Sequence, residues 1–407
     1  MHRRRPGRQG AARVTPGGVR SFSGVQFALL GSALLVNVIS FSVYPYLAVL
    51  LRERMGLGME QVGVVLGLAT LTQLAGGLPG AALAERLGLQ RSLLLAMALQ
   101  TFGSLGFLAG GAWPAVTVAA LFLRSAATAL YTPSVRGYLV HGTGPDERPR
   151  VVSATYAAGN TGVAVGPVLG APFIHDPSVM FAVAVALHAT LTVGHALLPR
   201  ETRDDREVVE PLRRALGGLA VLPFAVTALT LYLHMNFYQF LSSYAEGRVP
   251  TVFFGSAMMG YSLLLVVLQP LVTRRVERMR YEHAMALGFG GLAAGALAFT
   301  GGNEISIAAG IAVIGAGNSV LFLKNVLEAL ARTPRSPAVV FGQQRLAEGT
   351  GASLSGLVGG GTYQVFESAG LLPGFWVAIA AQCLLLPAIV LVLHRRLQRP
   401  AITPEGS

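Results

Sequence analysis

The chain has a single lysine, Lys324, and it falls inside a long apolar stretch. Arg124, Arg345, Glu328 and Glu348 fall in apolar stretches too. A charge held in hydrocarbon costs roughly 2.5–3.5 kcal/mol on insertion scales, so such residues face a bundle interior or a water-filled cavity and mark transport pathways. Lys324 and Glu328 stand at i, i+4, and Arg345 and Glu348 at i, i+3, so each pair shares a helix face. The apolar stretches that carry them run in opposite directions, which puts all four at similar depth. A charge network between two helices is therefore expected. Burial favours a neutral carboxyl and a nearby cation favours a charged one. Such a network can load and release a proton, with Glu348 as the expected carrier.

The elements that must hold these charges are membrane helices. The chain has 407 residues, 53% hydrophobic and 12% charged, with mean hydropathy +0.57. A soluble domain is about 25% charged. A span needs roughly 20 apolar residues, and twelve are expected: 24–49, 60–82, 92–112, 114–139, 151–173, 177–198, 217–243, 251–273, 282–301, 304–329, 337–362 and 371–394. Residues 1–22 read as a disordered basic arm with no cleavable signal, 199–216 as a charged linker and 397–407 as a tail. Two six-helix bundles, 23–198 and 217–396, follow from this division.

Loop charge tests the count. With the N-terminus inside, 25 of the 31 Lys+Arg fall in or beside cytoplasmic segments, and only Arg52, Arg54 and Arg248 on the opposite side. Both termini are expected to be cytoplasmic. The net charge of +12 is spread over these loops and forms no basic face for nucleic acid. The lone cysteine, Cys383, permits no intramolecular disulfide and no cysteine metal site.

The halves echo one another. Thr161–Gly170 parallels Thr350–Gly359, 189 residues on, and Gly63 and Gly255 open spans 2 and 8 at an offset of 192. Repeats of this kind mark a duplicated six-helix transporter unit.

Two local motifs identify a family. The loop Leu83-Ala84-Glu85-Arg86-Leu87-Gly88-Leu89-Gln90-Arg91 is similar to Gly-x-Leu-Ala-Asp-Arg-x-Gly-Arg-Lys, with Glu85 for the Asp and Leu89-Gln90 for the Arg-Lys pair. In span 5, Gly162-x-x-x-Gly166-Pro167-x-x-Gly170-Ala171 is similar to Gly-x-x-x-Gly-Pro-x-x-Gly-Gly. Over essentially its whole length the chain resembles the major facilitator superfamily, and within it the twelve-helix drug/proton antiporters of the bacterial multidrug-resistance type.

The resemblance implies an all-α membrane protein of two pseudo-symmetric bundles in the bacterial inner membrane. It is expected to act as a monomer, exchanging protons for a small-molecule substrate by alternating access. Glu85, Arg86, Gly88 and Arg91 would form a conformational latch. Gly162, Gly166, Pro167 and Gly170 would form an antiporter motif, associated with export. Spans 1, 4, 7 and 10 would line the cavity. Their polar and aromatic residues stand at helical spacing: Asn37, Phe41 and Tyr44; Thr128 and Tyr131 beside Arg124; Tyr232, His234, Asn236, Tyr238 and Gln239; Asn318, Phe322 and Asn325. Arg124 matches the arginine of the family's span-4 motif, though Ala127 and Thr128 replace the residues that follow. Spans 1 and 4 hold no acid. Arg124 and Lys324 would then favour an anionic or zwitterionic substrate.

Other classes fit less well. A Walker nucleotide site needs Gly-Lys-Ser/Thr, and the sole lysine sits in Leu323-Lys324-Asn325, so the chain carries no ATPase. Twelve spans do not suit a retinal protein. The histidines form no metal or catalytic motif, so neither an enzyme nor a metal or cofactor is expected. A receptor or scaffold would not need mirrored polar stripes. Within transport, the rivals are a dedicated exporter of one metabolite and a nutrient importer.

Overall fold

The computed structural model describes residues 22–110, 113–141, 143–144, 147–200, 217–333 and 337–398. Among these the regular structure is entirely helical. The first half comprises α1 (Gly24–Val43), α2 (Leu47–Met55), α3 (Met59–Leu74), α4 (Gly77–Leu87), α5 (Leu89–Ala109), α6 (Pro114–Val140), α7 (Arg148–Gly170) and α8 (Ser178–Ala196). The second comprises α9 (Val221–Ala245), α10 (Thr251–Arg278), α11 (Tyr281–Phe299), α12 (Glu304–Ala331), α13 (Pro337–Leu354), α14 (Gly360–Ser368) and α15 (Pro373–Gln398). The basic arm, most of the linker and nearly all of the tail lie outside the described residues.

Among the described residues, eight helices are long and apolar enough to cross a membrane, with α1 and α2 counted as one, or nine if α3 and α4 also count as one span bent by 44°. Residues 148–170, 281–299 and 337–368 are helical where spans are expected and pack into the bundles, but do not reach that measure. Three expected spans are interrupted. A 3-10 turn at Tyr44–Tyr46, where Pro45 removes a backbone donor, joins α1 to α2. Gly76 and Gly77 stand at the α3–α4 bend. A π turn, Ser355–Gly359, joins α13 to α14.

Local sequence explains the helix ends. Ser23 and Asn303 close capping boxes with Gln26 and Ser306. Pro114 sits in the first turn of α6, where its missing N–H costs nothing. Gly88 both ends α4 and begins α5 at φ +92°, a conformation that other residues rarely adopt.

Within the first half, α1 packs on α7, and α5 on α6 and α8. Within the second, α11 packs on α12 and α15, and α9 on α13. Two seams join the halves: α3 against α13, the π turn and α14, and α7 against α10. The largest apolar cluster runs through both halves, including Leu47, Leu51, Met59 and Phe181 with Phe240, Tyr244, Phe254 and Trp376. Much of it lies at the helix ends that carry Arg52, Arg54 and Arg248. Away from that arginine-poor face each half has its own cluster, around Leu93, Met97 and Leu130 in one and Val276, Ala284 and Val320 in the other. Burial at roughly 25 cal/mol per Å² of apolar surface therefore holds the halves together at the arginine-poor face more than elsewhere.

Candidate functional site

The halves meet at mid-bundle in a box of aromatic rings and neutral polar groups. α9 carries His234, Phe237, Tyr238 and Gln239, all buried. The His234 ring stacks on Tyr261 of α10 at 5.8 Å and meets Phe322 of α12 edge-on at 5.8 Å. The Asn318 amide lies 2.9 Å from His234 Nδ1 and donates to the Tyr261 hydroxyl at 3.1 Å. From the first half, Tyr44 lies 5.5 Å and Phe41 6.3 Å from the Tyr238 ring. The Tyr44 and Thr70 hydroxyls share a hydrogen bond of 3.2 Å. Gln239 faces the Tyr44 hydroxyl, yet neither of its amide atoms makes a hydrogen bond of good geometry. The amide oxygen of Asn318 is likewise buried without a partner. An unpaired buried polar group costs about 1–3 kcal/mol, which a ligand's own polar atoms could relieve.

Six of the residues expected to line the cavity bond elsewhere. Thr128 accepts from Gln100 of α5 at 2.9 Å. Tyr131 shares a hydrogen bond of 2.9 Å with Ser32 of α1. Tyr232 donates to Gln382 of α15. Asn236 donates to its own helix and packs on Gly359 of the π turn. Asn325 bridges Tyr281 of α11 and Thr230 of α9. Asn37 donates to Ala33 one turn back, and its side chain packs against Gly162. Interhelical and local hydrogen bonding accounts for these six. Phe41, Tyr44, His234, Tyr238, Gln239, Asn318 and Phe322 come together in the box.

The expected four-charge network takes a different form. Lys324 is buried, and its ammonium lies 3.3 Å from the Glu277 carbonyl in the last turn of α10. There it meets the negative end of the helix dipole rather than a carboxylate. Glu328 pairs with Arg332 at 2.7 Å, one turn along α12. Arg345 and Glu348 do pair, at 2.9 Å. Arg136 of α6, from the other half, lies within electrostatic reach of both. Sequence reading missed Arg136 because it sits near a span end and reads as loop charge.

Arg124 faces away from the box. It donates to Ser104 of α5 at 2.8 Å, and Ser104 lies 2.9 Å from His188 Nδ1 of α8. The guanidinium also sits 5.7 Å from the Phe107 ring. Neither Arg124 nor Lys324 therefore lends its charge to the box, which removes the argument for an anionic substrate.

The motif glycines have a visible packing role. A Cβ on Gly162 would lie 2.6 Å from Asn37 Cβ, and one on Gly166 2.8 Å from Phe41 Cβ. A Cβ on Gly170 would strike the Ser42 carbonyl. The three form a smooth face that lets α7 lie directly on α1, as small-residue stripes do. Glu85, Arg86, Gly88 and Arg91 lie around the tight α4–α5 turn. Thr70 and Tyr261, on spans not expected to line the cavity, also belong to the box. They could have been found only by knowing how spans 2 and 8 rotate.

Comparison with known proteins agrees with this architecture. At 12% identity, the nucleoside transporter NupG superposes with a TM-score of 0.77 over 92% of this chain and 100% of its own. A peptide transporter POT in complex with sulfate gives 0.74 at 15% identity, over 93% and 96%. In sequence, an uncharacterized MFS-type transporter of Mycobacterium tuberculosis is 26% identical over 189 residues, 46% of this chain and 45% of that protein. The multidrug resistance protein MdtH of Salmonella choleraesuis is 24% identical over 273 residues, 65% of this chain and 67% of its own. The chain thus matches less than half the length of the mycobacterial relative. The family model described as Major Facilitator Superfamily matches residues 29–322. With a helical bundle of two halves joined by two seams, and a family match over most of its length, the chain belongs to the Major Facilitator Superfamily of membrane transporters.

Proposed function

We propose that this transporter exports small, uncharged amphipathic organic molecules, drugs among them, in exchange for protons. The observation that carries the substrate class is the box itself. Its walls are rings, hydroxyls, amides and one imidazole, and Gln239 holds both amide atoms unpaired. Apolar walls with a few placed polar groups suit such ligands. The glycine–proline motif on α7 and the similarity to MdtH support export. Glu348 is the proposed proton carrier, since Arg345 beside it and Arg136 from the other half let both halves sense its charge. Glu85, Arg86, Gly88 and Arg91 are the proposed latch. The arginine-rich side, with both termini, is proposed to face the cytoplasm of a bacterial inner membrane, and the monomer to be the working unit.

A dedicated exporter of one metabolite is the second reading. The hydrogen-bonded wall of Asn318, His234 and Tyr261 is set for a particular shape.

The test is proton movement in everted membrane vesicles, followed with a pH-sensitive dye. Uncharged aromatic compounds should release protons from the lumen, and anions should not. Glu348→Gln should abolish the response, and Gln239→Ala should raise the substrate concentration needed by about tenfold, equal to roughly 1.4 kcal/mol. Coupled transport that survives Glu348→Gln would sink the carrier assignment. A response confined to anions would sink the substrate class. A response to one compound among many would establish the second reading.

A further inference from the structure

Glu53 near the end of α2, His175 in the turn after α7 and Glu246 in the turn before α10 meet on the arginine-poor face. His175 Nδ1 lies 3.0 Å from Glu53 Oε1. One ligand atom from each of the three lies within 4.8 Å of the others. The Glu53 and Glu246 carboxylates therefore lie close to each other, and two like charges at that range repel unless a cation or a proton lies between them. The arginines nearby make their close contacts with other groups, although Arg52 is within electrostatic reach of Glu246. Arg52 pairs with Glu367 at 2.9 Å, Arg54 donates to the Phe107 carbonyl at 3.0 Å and lies near Asp176, and Arg248 donates to the Tyr244 carbonyl.

His175 and Glu246 open onto a cavity of about 320 Å³ that Tyr46, Phe254 and Ser242 also line. Ser242 is 5% exposed, and its hydroxyl has no hydrogen-bond partner.

We propose that Glu53, His175 and Glu246 form a divalent metal site of the zinc type, and that the bound ion clasps the two halves together on the arginine-poor face. One imidazole nitrogen and two carboxylate oxygens are a set that zinc accepts, with a water in the fourth position. Magnesium and calcium prefer all-oxygen sites. Bonds of about 2.0–2.2 Å in a tetrahedron place ligand atoms roughly 3.3–3.6 Å apart, which small side-chain rotations from the observed spacing reach. Two carboxylates neutralise the ion. Glu53 and His175 belong to the first half and Glu246 to the second, so opening this face breaks the site. A ligand that binds only the closed state raises the ratio of closed to open about a hundredfold at a hundred times the dissociation constant. No sequence motif announces this site, because its ligands come from three distant turns.

The test uses full-length, tag-free protein in detergent. Zinc binding is measured by competition with a chromophoric chelator. Spin labels at Glu60→Cys and Ser368→Cys, one in each half, report the distance across the face, with the buried Cys383 left in place. Expected are one zinc per chain, no competition from magnesium or calcium, and a narrower distance distribution with zinc. His175→Asn and Glu246→Gln, both at exposed positions, should each weaken binding at least tenfold and abolish the narrowing. Absence of bound zinc, or binding unchanged in both variants, would overturn the site. Binding at these residues without narrowing would overturn the clasp.

Discussion

The two seams between the halves are one contact built twice, with different tolerance. Gly63 on α3 meets Gly356 and Gly360, and Gly255 on α10 meets Pro167 and Ala171. The internal repeat pairs these partners: 63 with 255 at one offset, 167 with 356 and 171 with 360 at the other. At the first seam backbone touches backbone. A Cβ on Gly63 would strike the Gly356 carbonyl and lie 2.7 Å from Gly360 Cα, and one on Gly67 would lie 2.7 Å from the Ser353 carbonyl. At the second seam one backbone carbonyl and two side chains share the contact. A Cβ on Gly255 would lie 2.8 Å from both the Pro167 carbonyl and the Tyr46 hydroxyl, and 3.0 Å from Ala171 Cβ. That carbonyl also accepts a 2.7 Å hydrogen bond from Tyr46. The first seam crosses the π turn, the second an unbroken α-helix ending in a 3-10 turn. Such π turns recur where helices must change shape for function. The first seam thus has no slack of its own and borrows it from the π turn, while the second is cushioned and pinned.

The largest effect should therefore fall on the first seam. Gly63→Ala forces backbone apart, at a cost of about 1–3 kcal/mol for overpacking. The cost falls on the state closed at the arginine-poor face, so its ratio to the open state should drop by a factor of about 5–160. Spin labels across the two helices should show a longer distance, and transport should fall. Gly255→Ala should cost less, near the low end of that range, because its Cβ meets backbone only at the Pro167 carbonyl, at 2.8 Å, and its other close neighbours are side chains. Equal effects from the two substitutions would break the distinction between the seams.

Tyr46→Phe sharpens the same point. It removes the pin on Pro167 while α7's own N–H from Ala171 still reaches that carbonyl, so the loss should be about 0.5–1.5 kcal/mol in thermal stability. In this background Gly255→Ala should be milder than alone, since its closest side-chain neighbour has lost its hydroxyl. A double-mutant cycle reads that coupling directly, and additive effects would show that Tyr46 is not the cushion.

Much of this arrangement was legible in the sequence, and the limit has a physical cause. Apolar length gave the helices, and the Gly63/Gly255 and 161–170/350–359 echoes pointed to the residues that later met across the seams. Helical spacing also grouped Phe41 with Tyr44 and Asn318 with Phe322. Spacing defines a face of a helix but not the neighbour it meets. Arg124, Thr128 and Tyr131 share a face, and that face turned into the first half instead of the centre. Lys324 found helix carbonyls because α10 ends beside it, which no local pattern encodes. Glu53, His175 and Glu246 are brought together only by the closed arginine-poor face. Burial there, with Glu53 alongside, pushes the Glu246 carboxyl up from its ordinary value, an environment invisible in a loop read as Ala-Glu-Gly-Arg.

The smallest effect should come from charge at the first seam. Arg52 pairs with Glu367 across the halves at 2.9 Å, and their side chains are 32% and 27% exposed. Next to them Gln364 of α14 accepts from the Met59 N–H at 2.7 Å, capping α3 from the opposite half. Exposed ion pairs contribute about 0.2–1 kcal/mol and are screened by salt. Arg52→Gln should thus change transport less than about fivefold at low salt, and the difference should vanish as ionic strength rises. Gly63→Ala should be indifferent to salt, because a steric conflict has no charge to screen. If Arg52→Gln were as damaging as Gly63→Ala, and equally so in high salt, the first seam would not be held by backbone fit, and its contrast with the second would fail.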